Sequence, residues 1–374
     1  MKTYNIGYVL LALVISSCSK SDGVAGGEEK QKSVDADYAV VLDIGNEFST
    51  QLLNANGESI DFNPSHSALS NNPKPQLSFS TGSKFLQYFK NGDCSSSVIL
   101  HDFSTDKSEN IIPFEDLNDC MLTANTISLA ENKMFIGYEL TNSYSEKEYM
   151  LRSFDLNSAT SVDVTLPKKP VGSTIANNRL FILTLDELVT EENSLSVLNL
   201  SNNDLIHELD LGYGARRIFT NKNDEVIIGY DELHTTMNSN DFSVAYTQYE
   251  EGTEPNFAQT RAVNMDDRGQ LYYPYDSQSI SSYPAIAGVY DFSKKLVTSY
   301  AFENFLTEEQ RNNEFAIETT TSVVYDIENN LILIGYRKMG TSNEGGLIRI
   351  KPVPDPAFVD HIDLEGIPYE IIVQ

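Results

Sequence analysis

Short apolar runs recur along this chain at a nearly fixed spacing. Residues 84–89 read KFLQYF, 133–138 KMFIGY, 179–184 RLFILT, 225–230 EVIIGY, 270–275 QLYYPY and 331–336 LILIGY. Their starts lie 49, 46, 46, 45 and 61 residues apart. Asn, Asp, Gly and Ser cluster before most of them, as turns require. A period of about 40–50 residues built only from short strands predicts a β-propeller.

The clearest repeat predicts four strands, at 121–129, 133–140, 148–156 and 161–166, with turns at Glu131-Asn132 and Asn157-Ser158. This is one blade, its strands lettered a to d in chain order. The same grammar predicts blades at about 76–115, 173–211, 214–258, 259–302 and 319–364; the fourth strand of the 214–258 blade is poorly written. Near the N-terminus, 38–44, 49–53 and 58–62 give three strands without a first, while 367–373 (IPYEIIV) is a lone strand. Joining them completes a seventh blade and leaves no open sheet edge. The expected fold is therefore all-β, a seven-bladed propeller closed by its C-terminal strand. A short helix is expected at 304–313 (NFLTEEQRNN), inside the longest interval.

Composition narrows the function. The 374 residues include 20 Tyr and 18 Phe but no Trp, and 54 acidic against 26 basic residues give a net charge of −28. Such a surface repels nucleic acid, which demands clustered Lys and Arg, and repels anionic lipid head groups. No nucleic-acid partner is expected.

The N-terminus reads as a targeting segment. Met1-Lys2 supplies a positive start, 6–15 an apolar run too short to span a membrane, and Ile15-Ser16-Ser17-Cys18 follows. This resembles the lipobox of bacterial lipoproteins, and Ser19-Lys20-Ser21-Asp22 resembles the start of mature lipoproteins of the Bacteroidota. The resemblance implies a signal peptide at 1–17, lipid on Cys18, and an outer-membrane location on the periplasmic or cell-surface side. Residues 18–36 are Gly-rich and charged and read as a flexible tether, leaving 37–374 for the propeller. Membrane contact is expected only through the lipid, and the protein is expected to be a monomer.

Within a blade, a–b and c–d turns share one face of the ring, and b–c and d–a connections share the other. The long connections, read at 186–193, 231–241, 276–284 and 338–345 (b–c) and 303–318 (d–a), all fall on the second face. Loops presented by a rigid scaffold carry function. Strand b ends there in Phe89, Tyr138, Thr184, Tyr230, Tyr275 or Tyr336. The expected ligand face comprises Tyr138, Glu187, Tyr230, Asp231, His234, Tyr275, Asp276, Tyr283, Tyr336 and Arg337. The competing reading packs each tyrosine between neighbouring blades.

Catalytic motifs are missing from the sequence. His66, His101, His207, His234 and His361 show no HExxH spacing, and there is no G-x-S-x-G elbow, P-loop or CxxC. Asp102, Asp106 and Glu109, and separately Asp266-Asp267, offer oxygen ligands for Ca²⁺, but neither set matches an EF-hand loop, and turn chemistry explains both. No cofactor or metal is expected. Glycoside chemistry needs two carboxylates facing each other across a sugar, which acidic residues from different blades could supply. The strand grammar, with its h-h-D-L third strand as in Phe154-Asp155-Leu156, resembles that of quinoprotein-dehydrogenase-like and related seven-bladed propellers; their Trp docking motifs and cofactor residues have no counterpart here. The leading expectation is a lipid-anchored propeller that binds a protein or glycan ligand on its long-loop face. The alternatives are a polysaccharide-active hydrolase or lyase, and a structural subunit of an envelope complex. With Cys18 committed to lipid, Cys94 and Cys120 remain; both fall in loops of the second face on adjacent blades, which predicts a disulfide in an oxidising compartment.

Overall fold

The computed structural model describes residues 36–117, 119–142, 144–251, 253–277 and 280–374. Cys18 and the rest of the expected signal peptide and tether up to residue 35 lie outside them. The described chain forms seven antiparallel sheets, each with a four-stranded path, arranged as the blades of a propeller. Blade 1 has the order Ile367–Val373, Tyr38–Ile44, Glu47–Ala55, Ile60–Phe62, so the last strand of the chain is its strand a. The closing pair runs from Tyr38↔Val373 to Asp43↔Ile367. A two-residue strand, Asn72–Pro73, adds to the Glu47–Ala55 strand.

The recurring apolar run is strand b because that strand is covered on both sides. A strand with one wet face alternates; a strand buried on both reads as a continuous hydrophobic run. Leu331–Lys338 is buried from Leu331 through Tyr336, and Lys133–Thr141 from Met134 through Glu139. Strand d lies at the rim, where Thr160–Leu166 is exposed along most of its length. The core is accordingly divided into layers between consecutive blades. One layer joins blades 2 and 3 through Leu86, Tyr88, Ile136 and Tyr138, and another joins blades 7 and 1 through Leu333, Leu347, Val40 and Leu42. The a–b turns reverse tightly. In blade 4 both central residues, Asn177 and Asn178, are left-handed at φ 45° and 57°, the backbone of a type I′ hairpin.

Two buried arginines staple strands c and d. Arg152 of blade 3 pairs bidentately with Asp163 opposite it and with Asp116 of the incoming connection. Arg349 of blade 7 pairs in the same way with Asp360 at 2.7–2.8 Å and also donates to the Asn56 carbonyl of blade 1 at 2.7 Å. Cys94 and Cys120 are joined in a disulfide whose Cα atoms are 4.6 Å apart, as the loop register predicts. Closing a loop with a sequence separation of 26 residues stabilises by about 3–4 kcal/mol in the chain-entropy model.

Three sequence expectations are corrected. Residues 231–241 are not a long loop: strand c of blade 5 is Leu233–Asn238, preceded by a short turn and followed by strand d at Val244–Gln248. The strand reads LHTTMN, whose threonines are good strand formers but lack the apolar signature. Strand a of blade 4 begins at Lys169, not 173. The region 304–313 divides into a 3₁₀ turn, Phe302–Asn304, and a π-helical turn, Gln310–Glu314.

Candidate functional site

The innermost strands of the ring enclose a channel with a cavity of about 560 Å³. Strands a of blades 2, 3, 4 and 5 wall it with short hydroxyl side chains, among them Ser80, Thr126, Ser173, Thr174 and Thr220. Thr174 and Thr220 hydroxyls meet across neighbouring blades at 2.8 Å, and Ser173 donates to Ser128 at 3.1 Å. Four ionisable residues complete the lining: Arg216 and Arg217 at the start of blade 5, Arg261 ahead of blade 6, and Glu370 in the C-terminal strand.

Backbone carbonyls hold the guanidiniums of Arg217 and Arg261. Arg217 donates to the Thr260 and Arg261 carbonyls, the second at 2.7 Å, and so fixes the segment that carries Arg261. Arg261 lies over the Tyr369 ring, its guanidinium carbon 3.6 Å from the ring centre, and donates to the Tyr369 carbonyl. Tyr369 is itself held, its hydroxyl 2.6 Å from that of Ser78. Burial, and next the charge of Arg261, bring the Arg217 guanidinium down to about 10. Burial also pushes the Glu370 carboxyl above the ordinary carboxylate range, against the pull of Arg261, Ser80 and Arg217.

At its mouth the channel runs into a groove on the face of the b–c and d–a connections. The groove is lined by Leu185, Glu187, Glu191, Asn193, Gly214 and Ala215, and it shares Val171 and Arg216 with the channel. Arg216 is held by Asp231 at 2.8 and 2.9 Å. Glu187 accepts from Lys147 at 2.5 Å, Lys169 at 2.7 Å and Tyr149 at 3.1 Å. The hydrogen bonds from Lys147 and Lys169 bring its carboxyl down to about 2.

Of the residues expected on the ligand face, the structure therefore brings Glu187 into this groove, with Asp231 beside it as the partner of Arg216. Arg337, paired with Glu318 at 2.6 and 2.8 Å, and Asp276 stand on blades 7 and 6 of the same face. The aromatic candidates go inward. Tyr138 and Tyr336 are 1% and 0% exposed, and Tyr275 and Tyr283 are buried as well. Tyr230 is half-buried against the layer between blades 4 and 5, and burial raises its hydroxyl to about 12. His234, read as a loop residue, is a buried residue of strand c in blade 5, with Nδ1 2.7 Å from the Tyr249 hydroxyl. Burial lowers its imidazole to about 4. Arg217, Arg261 and Glu370 were missed in the sequence. Their one signal was the doublet Arg216-Arg217 in a strongly acidic chain.

The acidic turns are engaged locally. Asp102 accepts from Ser83 and Ser104, and Asp266 from the Arg268 and Gln270 amides. Among the described residues no group of three His, Cys, Asp or Glu is placed to hold a metal. Ser108, His101 and Asp106 form a chain, with Ser108 Oγ 2.8 Å from His101 Nδ1 and Asp106 3.5 Å from Nε2. The imidazole is fully buried, and Asp106 Oδ1 accepts from Ser67 Oγ and the Ala68 amide at 2.9 Å each. The trio ties the connection between blades 1 and 2 to the rim of blade 2.

No family model matches the chain, and no curated protein matches it either. Among solved structures, a puromycin hydrolase S511A mutant complexed with PGG is similar at TM-score 0.53 and 12% identity, covering 89% of this chain and 55% of its own. This chain thus spans about half the length of that hydrolase. A chain of the mitotic checkpoint complex is similar at TM-score 0.51 and 8% identity, with 98% and 90% covered. AztD of Citrobacter koseri gives 0.48 and 13%, with 90% and 86% covered. At these identities the first two likenesses establish the fold alone.

Proposed function

We propose that this protein is a lipid-anchored binding propeller of the bacterial envelope, and that it takes a small polar ligand through the face bearing its b–c and d–a connections. One observation carries the reading: channel and groove form one concavity, joined at Val171 and Arg216, on the face that sequence reasoning selected from its long connections. The channel alone, at about 560 Å³, falls in the range of ligand pockets, about 300–1,000 Å³. Ion-paired side chains and a rigid ring hold the walls in place, so little order is lost on binding. Anchoring rests on Ser16-Ser17-Cys18.

The test uses cells expressing the full chain, the Cys18→Ala chain and a Val171→Trp chain. Val171 is 38% exposed at the mouth, so a larger side chain there blocks entry without entering the core. The full chain should fractionate with membranes and Cys18→Ala should not. Thermal shifts against a panel of sugars and organic acids should give stabilising compounds whose effect Val171→Trp abolishes. Compounds that stabilise both forms equally would overturn the assignment of the site, and a membrane-bound Cys18→Ala chain would overturn the anchor.

A further inference from the structure

The chain has nine arginines and a net charge of −28, so an arginine without a carboxylate partner is informative. Six have one: Arg152, Arg216, Arg268, Arg311, Arg337 and Arg349. Of the other three, Arg179 donates to the Ser239 and Asn240 carbonyls and stacks on Phe242. The remaining two, Arg217 and Arg261, both line the channel. Among the described residues neither has a carboxylate within ion-pair distance, although Glu370 lines the same cavity. Glu370 is buried, which disfavours its charged form, and even when charged its single carboxylate does not balance two guanidiniums. The channel is therefore a cationic recess in an anionic protein, and such a recess concentrates small anions.

The arrangement is built rather than incidental. Arg217 spends two donors on the backbone around Arg261, and Tyr369 supports the flat face of Arg261, which is exposed toward the lumen. A stacked guanidinium presents its edge, the geometry that grips a carboxylate or phosphate through paired N–H donors. Ser173, Thr174 and Thr220 surround the rest of the cavity with hydroxyls, suited to a ligand that carries hydroxyls itself.

We propose that the channel binds a small hydroxylated oxyanion, a sugar acid or a sugar phosphate, with its anionic group at Arg217 and Arg261 and its hydroxylated body against the Ser and Thr walls. This rests on the binding function proposed above and names the ligand class. The shared chemistry is an oxyanion on a polyhydroxylated body; the carboxylate and phosphate forms are separated by the probes.

The experiment is calorimetric titration of the full chain in detergent with glucuronate, glucose 6-phosphate and glucose at constant ionic strength. Glucuronate, glucose 6-phosphate or both should bind, and glucose should bind at least roughly tenfold more weakly, because it lacks the charge-assisted bonds. Arg261→Gln should weaken the anion by a similar factor while leaving the circular dichroism unchanged. Arg217→Gln should do the same; if it fails to fold, Arg261→Gln decides alone. Equal binding of glucose and both anions, or anion binding untouched by Arg261→Gln, would overturn the proposal, as would binding of neither anion. Val171→Trp separates the two levels. If that variant loses glucose while the anions never bind, the ligand class is wrong and the channel site stands. If no compound's binding responds to Val171→Trp, the site itself is wrong.

Discussion

Glu370 shows how a single residue registers its surroundings. Its neighbours in the channel are Arg261, Arg217 and Ser80, all of which favour the carboxylate, yet burial outweighs them and the pKa is raised. A carboxyl that holds its proton more tightly folded than unfolded stabilises the fold below the unfolded pKa. That stabilisation is lost as pH rises through the folded pKa. Glu370→Gln keeps the shape and removes the titration. The variant should melt at a higher temperature than the parent at pH 7–8, and the gap should close below about pH 4, near the ordinary carboxylate value. Thermal melts across that range check it; a lower melting temperature for the variant at neutral pH would mean that the arginines outweigh burial. Arg152 and Arg349 are the opposite case, fully buried ions whose carboxylate partners hold them charged. Their pairing was legible in principle, since each stands opposite its aspartate once the c–d hairpin register is drawn. The channel residues were not, because no hairpin joins Arg217, Arg261 and Glu370.

At the scale of the element, the recurring apolar run was read correctly as a strand, and its glycine was overlooked. In KMFIGY and LILIGY the glycine faces the strand a of the next blade. A Cβ on Gly137 would lie 2.8 Å from Pro170 Cβ and 2.5 Å from Thr126 Oγ1; on Gly335 it would lie 2.6 Å from Pro368 Cβ and press on Ser322 Oγ as well. Each proline follows its glycine by 33 residues, so the contact repeats with the blade. Gly137→Ala should therefore destabilise by about 1–3 kcal/mol, the usual range for overpacking. Gly92→Ala, with nothing near its Cβ, should change little. Urea denaturation compares the two, and equal midpoints would remove the inter-blade glycine contact as a determinant of packing. The tyrosine after the glycine was assigned to the ligand face because strand b ends toward it. A strand covered on both sides offers no alternation from which to tell a wet side chain from a packed one, and Tyr138 and Tyr336 are packed.

For the whole molecule, ring closure was legible and the site was not, for one physical reason. Closure is a deficit in a count of strands: three at one terminus and one at the other must pair, because an unpaired inner edge leaves backbone donors and acceptors unsatisfied. The channel is assembled from single residues on blades far apart in sequence, and no periodicity records it. The C-terminal strand serves both ends. It contributes Ile371 and Ile372 to two inter-blade layers, Pro368 to the contact with Gly335, Tyr369 as the support of Arg261, and Glu370 to the channel wall. Truncating a buried isoleucine alone costs about 2–5 kcal/mol, and a domain's whole stability is about 5–15 kcal/mol. Deleting 367–374 removes two such residues together with the entire pairing to Tyr38–Ile44. The truncated chain should thus lose its cooperative thermal transition and elute as an expanded or aggregated species in size-exclusion chromatography. An unchanged melting temperature would show that blades 7 and 1 hold together without the strand between them, and with it would fall the view that this strand fixes the geometry of the channel.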